Sequence, residues 1–265
     1  MMGDKSLMKE KTYYKNPVLM NLLDKREDGS YFEFLISLEN IPGAIGKVSS
    51  AISSFKANIW AGFHGTIDEL GGAWAFFLEV PQSVSIDSIV KKIEGLKEVK
   101  ELRFRKLDKT EYFDVFFFPI FLGGNRAVML THEAFHNIKQ HLIELLGTGG
   151  DSILFNEGVS VGNAILKNLP ASLETINEKL AFLKDLIRAT GWGVIEYQKL
   201  NPLRKTGEIY VYDSIEIIPK YSKRCHFMRG ILTSFLRNLF NDERLSLVET
   251  ECIGAGDSKC IFKFV

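Results

Sequence analysis

The sequence predicts an α+β protein with two domains. The chain has 265 residues, which is more than one domain usually contains. Strand-like and helix-like hydrophobic patterns follow one another as βαββαβ over residues 31–107, and a second series of helices and strands fills residues 112–265. Hydrophobic residues make up 46% of the chain and charged residues 25%, as in ordinary globular proteins. Residues 1–30 are expected to form an N-terminal extension.

The first domain begins with a strand over Tyr31–Leu38, where apolar and polar residues alternate. The turn residues 40–43 follow it. The elements expected next are the helix Ala44–Phe55, the strands Ala57–His64 and Trp74–Val80, the helix Ile86–Gly95 and the strand Val99–Leu107. Four strands and two helices in this order predict an antiparallel sheet with both helices on one face.

The turn before the first helix carries a family motif. The stretch Leu38–Val48 reads LENIPGAIGKV and resembles the opening of an ACT domain, whose fold is ferredoxin-like. The resemblance covers about residues 31–107. It implies that an amino acid binds at the turn, where a glycine admits a ligand to the backbone and helix N–H groups face a carboxylate. The residues it implies are Asn40, Pro42, Gly43 and Ala44. The alternative is that Pro-Gly merely starts a helix in a domain that only dimerises.

The second domain follows a polar boundary at residues 108–111. Asp114–Leu122 reads DVFFFPIFL and predicts a buried strand because it is almost wholly apolar. The helix Thr131–Leu146 comes next. Its expected apolar arc consists of Phe135, Ile138, Leu142, Leu145 and Leu146. The remaining expected elements are the helices Gly150–Asn168, Leu173–Thr190 and Lys223–Phe240, the strands Gly193–Leu200 and Glu208–Ile217, and a hairpin of Leu245–Ile253 with Lys259–Val265.

All three cysteines of the chain lie in its last 41 residues. Cys225 starts the last predicted helix, where the helix dipole and a neighbouring arginine favour a thiolate. Cys252 and Cys260 flank a glycine-rich turn, so a hairpin brings them side by side. Zinc needs a fourth ligand, and Glu249 and Glu251 are both near. The alternatives are a Cys252–Cys260 disulfide or three free thiols.

The same region resembles the end of a 4-vinyl reductase domain, the sensory domain of phenol-responsive bacterial activators and of archaeal regulators. The resemblance is carried by residues 249–260, which read ETECIGAGDSKC, and by CHFMRG at residues 225–230. Further matches are Gly158, Gly162 and the run Gly191-Trp192-Gly193. The resemblance covers about residues 112–265. It implies a zinc ion held by Cys225, Glu249, Cys252 and Cys260.

Two requirements follow from that ligand set. Positions 249 and 252 would point to opposite faces of a regular strand, so the strand must bulge or end near Glu251. Three thiolates and a carboxylate also leave a net charge of −2 around zinc. The cations expected to compensate this charge are Arg224, Arg229, Lys259 and Lys263.

The resemblance also implies a cavity for a small hydrophobic or aromatic ligand. The residues expected to line it are Phe117, Phe121, Phe155, Trp192, Ile215 and Phe235. The alternative is that these side chains simply pack the core. The phenol sensors use a Trp within a Ser-Trp-Glu run to orient the phenol hydroxyl. Here Ile215 takes the place of that Trp, and isoleucine cannot donate a hydrogen bond.

A competing metal motif lies on the helix that begins the second domain. His132, Glu133 and His136 spell HExxH, the zinc-binding pattern of metallopeptidases, with Glu157 as a candidate third ligand. The small size of the domain argues against a protease cleft.

Composition narrows the function classes. Lys+Arg and Asp+Glu both total 33, so the net charge of zero disfavours nucleic-acid binding. No run approaches 18 apolar residues, and the charged start lacks a signal-peptide core, so we expect a cytoplasmic protein without a membrane span. The chain lacks a glycine-rich nucleotide loop. The hypothesis is a homodimeric, non-catalytic regulator that senses a small molecule. The alternative is a 4-vinyl reductase or a tetrapyrrole-handling accessory protein.

Overall fold

The structure, a computed structural model, describes residues 20–21, 29–66, 71–107, 111–112, 114–116, 119–122, 125–202, 204–217 and 224–265. The chain divides into two compact units, residues 1–120 and residues 121–265. Antiparallel sheets and several helices occur in this chain, which confirms the α+β class. No described helix has both the length and the apolar character needed to cross a membrane.

The first unit follows the predicted order of strands and helices. Its elements are β1 (Met20–Asn21), β2 (Gly29–Glu39), α1 (Ala44–Ser53), β3 (Asn58–Thr66), β4 (Gly71–Pro81), α2 (Ile86–Glu94), β5 (Val99–Leu107) and β6 (Glu111–Tyr112). The main sheet is antiparallel with the strand order β3-β4-β2-β5, and the short strands β1 and β6 pair with each other.

The core of the first unit lies between this sheet and its two helices. Alternate residues of β2 point to the helices, and Phe34 stacks on Phe76 with ring centroids 5.3 Å apart. Val48 of α1 and Ile89 of α2 join the same cluster. Both helices therefore cover one face of the sheet, as the periodicity predicted.

The second unit places its helices beside a four-stranded sheet. Its elements are β7 (Phe121–Leu122), β8 (Asn125–Arg126), α3 (His132–Leu146), α4 (Thr148–Lys167), α5 (Ile176–Ala189), β9 (Val194–Asn201), β10 (Thr206–Tyr212), α6 (His226–Leu239), β11 (Leu247–Glu251), a 3-10 turn (Ile253–Ala255) and β12 (Cys260–Phe264). The order β11-β12-β10-β9 is antiparallel throughout, and the predicted C-terminal hairpin is formed by β11 and β12.

Helices α4 and α6 cross at very short range. A Cβ atom on Gly158 would overlap the carbonyl oxygen of Phe227, and one on Gly230 would overlap that of Phe155. Glycine is thus required at both positions, because the two backbones occupy the space that a side chain would fill. The glycine pattern at residues 158 and 162 therefore has a packing origin, since Gly162 likewise faces the carbonyl of Ile231.

The buried strand predicted over Asp114–Leu122 is wrong in its described part. Asp114 accepts a hydrogen bond from the Phe116 N–H at 2.9 Å, which bends the chain, and Val115 is exposed. Phe121 and Leu122 form a two-residue strand that pairs with β8, and Phe121 is 60% exposed. An apolar composition alone thus did not place this segment in a core.

The apolar arc predicted for α3 is also largely wrong. Ile138, Leu145 and Leu146 are half or more exposed, whereas His136 and Lys139 are the buried positions of the helix. Lys139 replaces apolar contacts with hydrogen bonds to buried backbone carbonyls, so a charged residue occupies the inner face.

Candidate metal centre

Four side chains from the last part of the second unit converge on one point. Cys225 precedes α6, Glu249 lies in β11, Cys252 stands between β11 and the 3-10 turn, and Cys260 opens β12. All four are buried. One potential ligand atom from each lies within 4.8 Å of all the others, and among the described residues this is the group of three or more metal-ligating side chains that forms.

The sulfur separations match a tetrahedral metal site. The Cys260 Sγ atom lies 3.6 Å from Cys225 Sγ and 3.8 Å from Cys252 Sγ. A zinc ion bonded to sulfur at about 2.3 Å with tetrahedral angles places neighbouring sulfurs about 3.8 Å apart. A disulfide requires about 2.05 Å, and all three cysteines are free thiols, so the Cys252–Cys260 disulfide alternative is not realised.

Glu249 supplies an oxygen that has no other use within the described part of the chain. Its Oε2 accepts the Cys225 backbone N–H at 2.9 Å. Its Oε1 is buried and lacks a hydrogen-bond partner there. A buried carboxylate oxygen without a partner is costly, and a metal ion next to three sulfurs would satisfy it.

The backbone of β11 explains how Glu249 and Cys252 face the same point. The register against β12 shifts between Glu249 and Glu251, and the strand ends at Glu251. This confirms the predicted bulge, and it turns the next residue towards Glu249 instead of away from it.

The turn after β11 is held by one aspartate. The Cys252 N–H donates to Asp257 Oδ2 at 2.8 Å, while the Asp257 and Ala255 N–H groups donate to the Cys252 carbonyl. Gly256 closes the turn at φ 107°, which favours glycine. These contacts fix the Cys252 side chain before the chain returns to Cys260.

Of the four cations predicted to balance the site, Arg224 lies against it. Its Nη1 donates to the Glu249 carbonyl at 2.7 Å. Lys259 instead covers the Tyr210 ring and Arg229 the Phe155 ring. Lys263 pairs with Glu208 at 2.8 Å.

The protein groups alone shift the pKa values of the cluster strongly. Burial raises the pKa of the Glu249 carboxyl to about 8. Hydrogen bonds with Cys252 and Cys260, together with burial, raise the pKa of the Cys225 thiol. The sequence-based expectation that the helix N-terminus and Arg224 make Cys225 a thiolate is therefore wrong for the protein groups by themselves. The thiol hydrogen bonds instead lower the pKa of Cys252.

Two buried charged residues beside the cluster were missed from the sequence. Glu216 accepts the N–H groups of Phe227 and Met228 at 3.1 and 2.7 Å, so it caps α6 directly after Cys225. Lys139 of α3 pairs with Glu216 Oε1 at 3.4 Å. The signal in the sequence was a lysine three residues after His136 on a helix whose inner face had been assigned to apolar residues.

The six residues predicted to line a ligand cavity do not come together around one. Phe117 lies outside the described residues, and Phe121 is exposed. Phe235 is fully buried in the packed core, and Trp192 packs edge-on against Phe227 at 6.0 Å. Ile215 is buried and Phe155 is half-buried under Arg229.

Two cavities are described, and neither includes those six residues. One of about 760 Å³ lies in the second unit, between the β9–β10 hairpin and the end of β12. One of about 120 Å³ lies in the first unit at the turn before α1. Asn40, Gly43 and Ala44 contribute to the smaller cavity, and Gly43 has φ 87°.

The HExxH motif does not assemble a metal site within the described residues. His132, Glu133 and Glu157 are exposed, whereas His136 is buried. The group of metal-ligating side chains that the described part of the chain forms contains none of them.

Comparison with known families identifies the class of the second unit. Residues 220–265 match the 4-vinyl reductase (4VR) domain, and this stretch contains all four residues of the cluster. The resemblance to that domain is thereby confirmed for the C-terminal part of the chain. No curated protein matches the sequence.

Similar solved structures include the phenol-responsive sensory domain of the transcription activator PoxR with phenol. It shares 20% identity over 54% of this chain and 78% of that chain, with a TM-score of 0.46. A vinyl-4-reductase family protein from Methanocaldococcus jannaschii shares 20% identity over 52% of this chain and 83% of that chain, with a TM-score of 0.39. The C-terminal domain of MgtC from Mycobacterium tuberculosis shares 8% identity over 31% of this chain and 93% of that chain, with a TM-score of 0.28.

Proposed function

We propose that this protein is a small-molecule sensor whose C-terminal 4VR domain is braced by one zinc ion. The observation that carries the proposal is the buried group of three sulfurs and one free carboxylate oxygen inside the segment that matches the 4VR domain. Its ligands would be Cys225, Glu249, Cys252 and Cys260. Four protein ligands leave no open coordination position, so the metal would stabilise the fold and would not catalyse.

The chain's own residues account for what the brace would join. The ligands come from the start of α6, from β11 and from the first residue of β12. When bound, zinc supplies a cross-link between these elements that the hydrogen bonds of Asp257 and Glu249 prepare. The N-terminus of α6 would thereby be tied to the sheet.

The ligand would act on the aromatic side chains next to that helix start. Phe227 stands two residues after Cys225 and contacts Phe135 at 5.2 Å and Trp192 at 6.0 Å between ring centroids. A small hydrophobic or aromatic molecule that separates these rings would move the first turn of α6. The consequence would be a change in dimerisation or in docking of a partner.

The first unit would serve as an ACT-like regulatory domain with a ferredoxin-like fold. The strand order β3-β4-β2-β5, with both helices on one face, supports this assignment. The 120 Å³ cavity beside Gly43 is of a size for the α-carboxylate end of an amino acid, next to the N-terminus of α1.

Elemental analysis and native mass spectrometry of the full-length protein test the zinc assignment. We expect one zinc per chain in the wild type, loss of zinc in Cys252→Ser, and retention in Glu251→Gln. Glu251 is a matched control because it is an exposed carboxylate in the same strand. A wild-type mass equal to the bare polypeptide would refute the proposal.

Calorimetric titration of the zinc-loaded protein with phenol and with toluene tests the sensing function. We expect binding of at least one of the two, weakened in Trp192→Ala. The absence of heat from both compounds, up to the limit of their solubility, would contradict the proposed aromatic ligand.

A further inference from the structure

The most deeply buried charges of the second unit lie next to the cysteine cluster. Lys139 is 2% exposed and Glu216 is fully buried, and their Nζ and Oε1 atoms are 3.4 Å apart. Burying such a pair costs several kcal/mol of desolvation per ion, and apolar residues of similar volume often stabilise a fold as well or better. The pair therefore needs a role other than stability.

Glu216 controls the position of the first turn of α6. The side chain of Cys225 does not cap this helix, and the Phe227 and Met228 N–H groups are bound by the Glu216 carboxylate instead. The Cys225 N–H is bound by Glu249. Two carboxylates thus hold three donors of the residue and turn that present the Cys225 sulfur.

Lys139 fixes the chain immediately before Cys225. Its ammonium donates to the Glu216 carbonyl at 3.2 Å and to the Arg224 carbonyl at 2.8 Å. One side chain of α3 therefore joins residue 216 to residue 224. Its positive charge also offsets Glu216, whose negative charge would otherwise oppose a cluster of thiolates.

We propose that Lys139 and Glu216 are positioning residues of the metal centre, holding Cys225 at the distance from Cys252 and Cys260 that zinc requires. The inference rests on the zinc site proposed above. It also makes α3 a part of that site, although α3 supplies no ligand. Groups that orient metal ligands typically contribute 10- to 100-fold to metal affinity.

The test measures zinc affinity by competition with a chelator in the full-length protein. We expect Lys139→Met and Glu216→Gln to bind zinc about 10- to 100-fold more weakly than the wild type. The double variant Lys139→Met/Glu216→Gln restores charge balance but not the bond to the Arg224 carbonyl, so it should stay weak. Lys179→Met, which removes an exposed lysine from α5, is the control and should bind as the wild type does.

Cobalt substitution supplies a readout of ligand geometry. We expect the visible bands of tetrahedral cobalt thiolate to shift or weaken in the variants. Glu216→Asp, which keeps the charge and retracts it by one methylene, provides a folded variant should the others unfold, and should show the same changes in smaller degree. Circular dichroism establishes folding.

The outcomes separate this inference from the proposed function. A wild type that binds no zinc refutes both. A wild type that binds zinc tightly, with folded variants of equal affinity and unchanged cobalt spectra, refutes the positioning role alone. Recovery of wild-type affinity in the double variant would also overturn it, because the pair would then only balance charge.

Discussion

The close crossing of α4 and α6 predicts that Gly158→Ala destabilises the second unit. An alanine Cβ would overlap the Phe227 carbonyl oxygen and would lie 2.9 Å from its carbonyl carbon and 3.1 Å from the Gly230 Cα. Since all three atoms belong to the backbone, no side chain can rotate away. The helices must separate by at least about 0.5 Å to bring the carbon contact to 3.4 Å, where ordinary contact begins.

The magnitude follows from two opposed effects. Overpacking costs typically about 1–3 kcal/mol, and a backbone obstacle places this site at the upper end. Replacing glycine by alanine within a helix returns about 1 kcal/mol. The net loss should be about 2 kcal/mol, which lowers the midpoint of thermal unfolding by about 4–8 °C in a unit of this size.

Thermal unfolding in excess zinc, followed by circular dichroism, measures this loss. Gly149→Ala on the same helix is the control, because its Cβ would meet only the Leu146 Cβ at 3.6 Å. It should leave the midpoint unchanged or raise it. A Gly158→Ala midpoint equal to that of the wild type would show that the two helices do not pack as described.

Three further predictions concern single side chains. In chelator-treated protein, the pKa of about 8 for Glu249 lies above its ordinary value of 4.5, so the folded state keeps a proton that the unfolded state releases. Stability should therefore fall as pH rises from about 4.5 to about 8, by at most about 1.4 kcal/mol per pH unit, and urea titrations of Glu249→Gln should lack this slope; an identical slope would contradict the assignment. Thr175→Ala breaks the capping box with Glu178 at the start of α5 and should cost about 1 kcal/mol in urea unfolding, whereas a change below about 0.3 kcal/mol would mean that the box is not formed in solution. Phe121→Ser should change stability by no more than about 0.5 kcal/mol, while Phe235→Ala should cost about 3–5 kcal/mol, and equal losses would place Phe121 in a core.

The periodicity of the sequence was sufficient to predict the order of elements in the first unit. Phe32, Phe34 and Ile36 alternate with residues of the other face, and all three enter the core between sheet and helices. This pattern is local, so it can be read without knowing the tertiary partners. It fails for Asp114–Leu122, where a local hydrogen bond to the Asp114 side chain bends an apolar run.

The candidate metal site was predictable only in part. The spacing of the cysteines left disulfide, thiols and zinc open, and a family resemblance pointed to Glu249 over Glu251. The Lys139–Glu216 pair could not be predicted, because it joins positions 77 residues apart and contradicts the expectation that an inner helix face is apolar. Contacts of that kind depend on the tertiary fold and leave no periodic trace.

The bulge in β11 has a consequence for how this region tolerates change over evolutionary time. Between Cys252 and Cys260, Asp257 and Gly256 are fixed by the geometry of the turn, while Ala255 and Ser258 are exposed. Substitutions at the exposed positions should be nearly neutral. Insertion or loss of a single residue should abolish the site, because it alters the register that aligns the donors. In a library of natural or synthetic variants, we expect the composition of this knuckle to drift while its length stays constant.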